Sequence, residues 1–282
     1  MIELDVVTGA FSYTGKYIAR RLLAAGRKVR TLTGHPARPH PFGNQVETAP
    51  CNFENLDELR RSLEGTTTLY NTYWVRFAHA GLSFEKAVAN TQALIRAAEQ
   101  AGVRKFVHIS VTNPSEDSPL PYYRGKALTE KAVAQSKLSY AIVRPTLVFG
   151  VEDILINNMA WLLRRFPVFA IPGSGDYRLQ PVFAEDVAVI AVNAAAQKQN
   201  AILDAAGPDI YTFDELVRLI AKALRRRIRV VQVSPSVALL LIRLVGHAVR
   251  DVILTREEIA GLMANLLISA EPSAGRTRLS IG

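Results

Sequence analysis

The sequence predicts an α/β protein, a doubly wound parallel sheet followed by a smaller, mostly helical C-terminal part that begins near residue 150. Three observations predict it. Short apolar runs of strand length alternate with amphipathic runs of helix length through residues 1–150, the pattern of a parallel sheet covered on both faces. A glycine-bracketed turn, Gly9 to Gly15, joins the first strand to the first helix. The chain has 282 residues, 49% of them hydrophobic, enough to bury a core without disulfide or metal staples.

Each element has its own warrant. Residues 2–8 (IELDVVT) read as a buried strand. Residues 14–25 read as a helix with Ile18, Leu22 and Leu23 on one stripe and Gly26 closing it. Residues 28–33 alternate and form a second strand, followed by a loop rich in Pro and His. A strand near 46–49 precedes a helix near 56–63, closed by Gly65. Residues 67–74 hold a strand and its exit, 83–100 a long helix ending at Gly102, and 103–110 a strand. Pro121 suits the first turn of a helix running to about Gln135, and 138–145 is the next strand. Beyond Gly150 the spacing predicts helices near 154–165, 184–196, 213–224, 236–249 and 256–266. Strands are expected near 168–171, 201–205 and 228–233. The expected organisation is a dinucleotide-binding part at 1–150 and a substrate or lid part at 151–282, interleaved with the first, with the substrate pocket between them.

Composition excludes several classes. A charged fraction of 21% with 8% aromatics excludes a disordered chain. The single cysteine, Cys51, excludes a disulfide framework and a thiolate cluster, and it reads as a small buried residue. His79 and His108 share no ligand spacing with each other or with Cys51, so no metal site is expected. The longest apolar run, near Val237–Ile242, is interrupted by Arg243 and falls short of the ~20 residues that span a bilayer. The segment 237–246 leaves weak membrane-surface contact open, beside cover for a pocket or a partner subunit. No secretory leader is expected from MIELDVVTGAFS, and the chain reads as cytoplasmic. The basic run Arg225–Arg229 has no helix-turn-helix, zinc or stacking-aromatic pattern beside it, so it reads as a solvated helix end and not as a nucleic-acid site.

The net charge is +9. Between Asp5 and Glu47 there is no acidic residue, while Lys16, Arg20, Arg21, Arg27, Lys28, Arg30 and Arg38 fall there. Such a field suits a polyanionic ligand. The turn Gly9-Ala10-Phe11-Ser12-Tyr13-Thr14-Gly15 lies between strand and helix, where backbone amides and the helix N-terminus face a phosphate. Ser12 stands where such loops commonly carry their middle glycine. At the end of the second strand, Thr33, Gly34 and His35 are followed by Arg38, with no carboxylate to hold a ribose diol. A 2′-phosphate would meet a cation there, so NADP(H) is expected over NAD(H), which stays possible.

Tyr122 and Lys126, spaced i, i+4 at the start of a helix, share a face. A neighbouring ammonium favours phenolate, and such a tyrosine can exchange a proton with an alcohol or carbonyl. Ser110, at the end of the preceding strand, could bond the same oxygen, a role Thr112 could also fill. The bland reading is a surface tyrosine and a solvated lysine, or Lys126 as a ribose ligand alone.

These motifs together resemble the short-chain dehydrogenase/reductase superfamily, in its extended or atypical group. Thr8 to Gly15 is similar to the family's cofactor loop. Asn90-Thr91 with LIRAAEQAGVRKFVHIS matches its asparagine-containing helix and fifth strand. Tyr122 and Lys126 match its catalytic pair, Arg144-Pro145-Thr146 through Gly150 its Arg-Pro segment, and Pro181–Ala188 its later segment near the substrate. The likeness covers about residues 1–210. It implies a Rossmann fold, catalysis by Tyr122, Lys126 and Ser110, and dinucleotide contacts from Asn71, Thr72, Pro145 and Thr146. Within the superfamily the chain is most similar to NAD-dependent epimerase/dehydratase-like proteins, relatives of the NADPH-binding accessory subunit of mitochondrial complex I. The resemblance thus implies an NADP(H)-dependent oxidoreductase or epimerase acting on a small carbonyl or alcohol. The alternative is a non-catalytic NADPH-binding accessory, assembly or redox-sensing protein. A homodimer is possible. Trp74, Arg76 and Phe77 are candidates to wall the substrate side, and Asn90 to bond a buried strand or a water near Lys126.

Overall fold

A computed structural model describes residues 3–77, 81–249 and 255–279, with the side chains of residues 245 and 247–249 outside the description. His79 lies outside the described residues.

The elements run β1 (Leu4–Thr8), α1 (Tyr13–Ala24), β2 (Lys28–Thr33), β3 (Val46–Pro50), α2 (Leu56–Ser62), β4 (Thr66–Asn71), α3 (Phe84–Gln100), β5 (Lys105–Ile109), α4 (Pro121–Ala134) and β6 (Ser139–Pro145). Then follow β7 (Leu147–Phe149), α5 (Ile154–Arg165), β8 (Val168–Pro172), β9 (Arg178–Leu179), β10 (Pro181–Phe183), α6 (Ala184–Ala195) and β11 (Ala201–Ala205). The chain closes through β12 (Tyr211–Thr212), α7 (Phe213–Ala223), β13 (Arg229–Val233), α8 (Pro235–Val249) and α9 (Arg256–Met263). Each longer element expected from periodicity is present, with ends shifted by a few residues. The short strands β7, β9, β10 and β12 had no sequence signal, because two or three residues show no period.

The chain divides into two compact units. The first comprises residues 1–145 and 184–205, the second 146–183 and 206–282. The segment 184–205 returns to the first unit.

The first unit is a seven-stranded parallel sheet in the order β11-β6-β5-β4-β1-β2-β3. Val6, Leu32, Leu69, Phe106 and Ile142 form one core with Leu59 of α2, Leu63 just after it, Leu94 of α3 and Val133 of α4. Because side chains alternate along a strand, neighbours such as Val7, Val107 and Val143, all buried, face the side on which α1 and α6 pack together. Parallel strands buried on both faces read as near-continuous apolar runs; all five residues of β5 are buried. The order reverses at β1, whose neighbours β2 and β4 lie on opposite sides. That reversal opens a crevice at the carboxyl ends of β1 and β4.

In the second unit, β8 pairs with β13, β7 with β10 and β9 with β12. Its core joins Met159 and Leu163 of α5, Ile171 of β8, and Leu216, Val217 and Ile220 of α7. Gly207 is required there, since a Cβ on it would fall 1.7 Å from the Pro181 carbonyl oxygen.

Candidate functional site

The turn after β1 is built by backbone contact. Gly9 has φ +69°, a left-handed conformation that glycine adopts without steric cost. Its amide donates to the Leu32 carbonyl (3.1 Å) and its carbonyl accepts from Ser12 N–H (2.8 Å). The Ala10 amide donates to Thr31 Oγ1 (3.0 Å), whose hydroxyl donates to the Val7 carbonyl. A Cβ on Gly15 would lie 2.3 Å from the Gly9 oxygen, so only glycine lets α1 start this close to the turn. The first helical bond, Lys16 N–H to Ser12 carbonyl (2.9 Å), leaves the first-turn amides, Thr14 and Gly15 among them, directed out of the helix N-terminus. Ser12 is the N-cap residue, but its hydroxyl makes no capping bond, and the first turn holds no acidic residue. These features fit a dinucleotide phosphate: a cradle that any Cβ would fill, and an N-terminal dipole with no competing carboxylate.

The neighbouring loop is pinned onto this turn. His40 stacks on buried Phe11 with centroids 3.7 Å apart and planes within 2°. Arg38 reaches back so that its guanidinium donates to Ser12 Oγ at 3.4 Å. The Tyr13 ring meets Tyr17 edge-on. His35 is exposed, its amide donating to Thr33 Oγ1 (2.9 Å). Thr33 and Gly34 line a cleft at the ends of β2 and β3 together with Pro36, Asn52 and Glu58. Pro36, Asn52 and Glu58 carry no sequence motif; they come together where the loop after β2 meets the segment that leads from β3 into α2. Asn52 donates to the Glu58 carboxylate (2.8 Å).

Asn71 and Thr72 meet the turn across the switch point. Thr72 Oγ1 donates to the Thr8 carbonyl, while the Thr72 and Tyr73 amides donate to Thr8 Oγ1 (2.8 and 3.0 Å). Thr8 Oγ1 in turn donates to Asn71 Oδ1 (3.2 Å). Asn71 Nδ2 lies 3.1 Å from His108 Nδ1, and His108 Nε2 lies 3.1 Å from Thr129 Oγ1, which donates to the Lys126 carbonyl (2.8 Å). One assignment satisfies every member: Asn71 donates to Nδ1, so Nε2 carries the proton and donates to Thr129. Burial, then the Lys126 charge, holds the His108 pKa well below its ordinary value, so the ring is neutral, as this chain requires. It joins the phosphate-turn strand to α4 through four elements.

Tyr122 and Lys126 both meet the indole of Trp74. Tyr122 stands edge-on to it (centroids 6.0 Å apart) and the Lys126 Nζ lies 4.5 Å above it. Tyr122 also packs edge-on against Phe84. The indole rests on Gly125, where a Cβ would lie 3.0 Å from it, so the small residue between the two makes room for the ring. Lys126 is buried and donates to the Ile109 carbonyl (2.9 Å). Burial pulls its pKa down to about 7, against the charge of Glu130, which raises it. Glu130 is itself held by Arg144 (Nε to Oε1 3.0 Å). Ser110, just beyond β5, is buried, and among the described residues its Oγ has no hydrogen-bond partner; nor has Trp74 Nε1. Buried polar atoms are seldom left unpaired; Trp74 carries Lys126 Nζ on its ring, and Ser110 follows the Ile109 carbonyl that Lys126 bonds. Asn90 lies elsewhere, donating to Tyr73 Oη (2.7 Å).

The first unit thus brings Gly9–Gly15, Thr33–Gly34, Asn71–Thr72, Ser110 and Pro145 to one edge of the sheet, the carboxyl edge. The Thr112 amide donates to the Pro145 carbonyl (3.0 Å). Thr146 belongs to the second unit, where its hydroxyl donates to the Gln180 carbonyl (2.5 Å). Among the described residues no group of His, Cys, Asp and Glu could hold a metal, and no helix is long and apolar enough to cross a membrane. Cys51 is half-buried, its thiol pushed up to about 12 by burial.

Comparison with known proteins gives the family of the chain. Residues 9–150 match the model of the NAD(P)H-binding family. The NADH dehydrogenase [ubiquinone] 1 alpha subcomplex subunit 9 of Arabidopsis thaliana is 26% identical over 82% of this chain and 60% of its own length. The Mus musculus protein of that name is 27% identical over 76% of this chain and 59% of its own. The chain therefore spans about 60% of the length of these curated relatives. In fold, an Escherichia coli NADPH-dependent quinone oxidoreductase complexed with NADPH matches with TM-score 0.76 at 19% identity, covering 94% of this chain and 91% of that one. A Staphylococcus aureus nucleoside-diphosphate-sugar epimerase matches with TM-score 0.75 at 16% identity, covering 96% and 93%. With its phosphate turn, parallel sheet and family match taken together, the chain belongs to the NAD(P)H-binding family, with a Rossmann-type fold and a sequence similar to the mitochondrial subunit 9 proteins.

Proposed function

We propose that this chain is an NADP(H)-dependent oxidoreductase or epimerase-like enzyme that acts on a small carbonyl or alcohol. The observation that carries the reading is the meeting of Tyr122 and Lys126 on the Trp74 ring, with buried Ser110 one residue past the Ile109 carbonyl that Lys126 bonds. In this reading the amides of Thr14 and Gly15 hold the pyrophosphate, and Asn71 and Thr72 shape the crevice beside it. Arg38, already on Ser12 Oγ, takes the 2′-phosphate. The cofactor, when bound, supplies hydride chemistry at its nicotinamide. Ser110 Oγ donates to the substrate oxygen and Tyr122 Oη gives or takes its proton. Lys126 sets the charge around that phenol, and the walls formed by Trp74 and Phe84 keep water away. A lysine with a pKa near 7 makes that help pH-dependent: protonated below about 7, neutral above it.

A second reading has a specific observation behind it. The subunit 9 relatives cover 76–82% of this chain and are named as parts of an NADH dehydrogenase. Under this reading the first unit binds NADPH for assembly or redox sensing, without turnover.

Fluorescence titration with NADPH and NADH tests the cofactor assignment. NADPH is expected to bind at least tenfold more tightly, with Arg38→Ala removing the difference; equal affinities would overturn the Arg38 role. A screen of carbonyl substrates with Tyr122→Phe then separates the two readings. The first expects turnover to vanish in the variant while NADPH affinity holds. Turnover unchanged in Tyr122→Phe removes that tyrosine from the chemistry.

A further inference from the structure

The second unit contains a cavity of about 450 Å³ with no part in the site above. Leu155, Met159 and Leu162 of α5, Phe169 of β8, and Ala238 and Ile242 of α8 supply much of its wall, and among the described residues Asn158 is its one polar side chain. It opens to solvent where the lining residues Phe166, Val168 and Leu241 are 43%, 46% and 42% exposed. Beside that mouth α8 turns Val237, Leu240 and Leu244 outward, at 45%, 58% and 61% exposure. Nine of the twelve large hydrophobic side chains exposed among the described residues belong to this unit. A soluble surface seldom gathers apolar groups in this way without a ligand.

Size and charge indicate the ligand. An apolar cavity of ~150 Å³ accommodates one benzene ring, so about three times that volume accommodates a hydrocarbon of roughly 18 carbons at the same filling. Arg164 and Arg165 end α5 next to Phe166, and Arg243 follows Ile242 on α8; all three are exposed. Among the described residues none of the three is in an ion pair. Arg165 is held with its guanidinium carbon 4.0 Å from the Trp161 ring centre, and that ring packs edge-on against Phe166. A flat protein partner would cover the exposed leucines but leave the cavity behind them empty. A single chain with an anionic head fills the cavity and neutralises the arginines.

We propose that this cavity binds one hydrocarbon chain of an anionic amphiphile, a long-chain carboxylate or the acyl chain of an acidic lipid, with its head on Arg164, Arg165 and Arg243. The test is titration of the full chain with cis-parinaric acid, an 18-carbon fluorescent fatty acid, followed by displacement. Saturable binding of about one equivalent is expected, displaced by palmitate and at least tenfold less well by octanoate or dodecylamine. Ala238→Trp, which fills the cavity, is expected to abolish it. The surface double variant Arg164→Glu/Arg165→Glu, which leaves the core untouched, is expected to weaken palmitate at least tenfold while sparing hexadecanol. NADPH affinity in the first unit is expected to be unchanged in both, so failure here and failure of the cofactor reading are separable. Sedimentation with phosphatidylglycerol vesicles distinguishes the sources: vesicle binding together with parinarate uptake assigns the chain to a lipid, and parinarate uptake alone assigns a free carboxylate. Vesicle binding without parinarate uptake would overturn the proposal. So would a dimer by light scattering that takes up no parinarate, because the α8 face would then serve a second copy.

Discussion

Gly15→Ala isolates what the turn after β1 requires. The added methyl would sit 2.3 Å from the Gly9 oxygen and 2.9 Å from its carbon, both backbone atoms. Restoring ordinary contact needs a displacement of about 1 Å. The Gly9 carbonyl cannot yield without losing the Ser12 amide it accepts at 2.8 Å, and Gly9 is anchored on the other side by the Leu32 carbonyl. Overpacking of this kind costs about 1–3 kcal/mol, sometimes more, and lowers the melting temperature by roughly 2–4 °C per kcal/mol at this size. The same shift moves the first-turn amides off the phosphate position, so NADPH affinity is expected to fall at least tenfold. Circular-dichroism melting and NADPH fluorescence read the two effects. Gly34→Ala, whose methyl would meet nothing within 4 Å, is the control and is expected to stay within about 0.5 kcal/mol of the parent. A Gly15→Ala protein with the parent's melting temperature and NADPH affinity would refute the cradle argument.

Other consequences can be measured in the same way. His108→Leu leaves Asn71 Nδ2 without an acceptor inside the protein, a loss of about 1–3 kcal/mol in denaturant unfolding. Its pH dependence is also determined: His108 is neutral when folded and gains a proton near its usual 6.5 when unfolded, so the parent is fully stable above that pH. Below it, this residue removes up to ~1.4 kcal/mol per pH unit, and His108→Leu is expected to lose that part of the slope; an unchanged slope would put the ring's neutrality in error. Lys126 acts in the alkaline range, since its folded pKa of about 7 lies below the unfolded 10.5; stability from this residue rises as pH climbs between those values, and Lys126→Met should flatten the rise. Gly207→Ala places a methyl 1.7 Å from the Pro181 oxygen and is expected to cost about 3 kcal/mol or more, seen as lost soluble yield or a lowered melting transition; a parent-like melt would contradict the backbone approach described.

The legible part of the fold was the periodic part. The alternation of β1 through β6 with their helices shows in sequence because each element is long enough to repeat its pattern, and α1, α2 and α3 are each followed by a glycine of positive φ, Gly26, Gly65 and Gly102. Gly9, Gly15, Tyr122 and Lys126 were legible for a related reason: their spacing along the chain carries the chemistry. Trp74 as the ring that both Tyr122 and Lys126 touch was not, nor was the chain from Thr8 through Asn71, His108 and Thr129. Its members lie 63, 37 and 21 positions apart, and their hydrogen bonds exist only once β1, β4, β5 and α4 are in register. His108 read from sequence as a satisfied core residue; its partners became visible only with strand pairing.

By itself the sequence determined the α/β class, the glycine turn, the pairing of Tyr122 with Lys126 on one helical face, and a run of cations without carboxylates from residue 6 to 46, of which the fold pairs Arg21, Arg27 and Arg30 with Glu185, Asp5 and Glu47. All of these follow from local period, from steric needs of single residues, or from charge that stays with its residue wherever the chain goes. Tertiary structure alone decided that segment 184–205 is the stretch that interleaves the two parts, that Ser110 Oγ and Trp74 Nε1 are buried without partners among the described residues, that Thr146 gives its hydroxyl to Gln180, and that the apolar residues of α5, β8 and α8 line an open cavity. Burial, hydrogen-bond satisfaction and enclosed volume are properties of what surrounds an atom, and for these residues the surroundings come from segments far away in the chain.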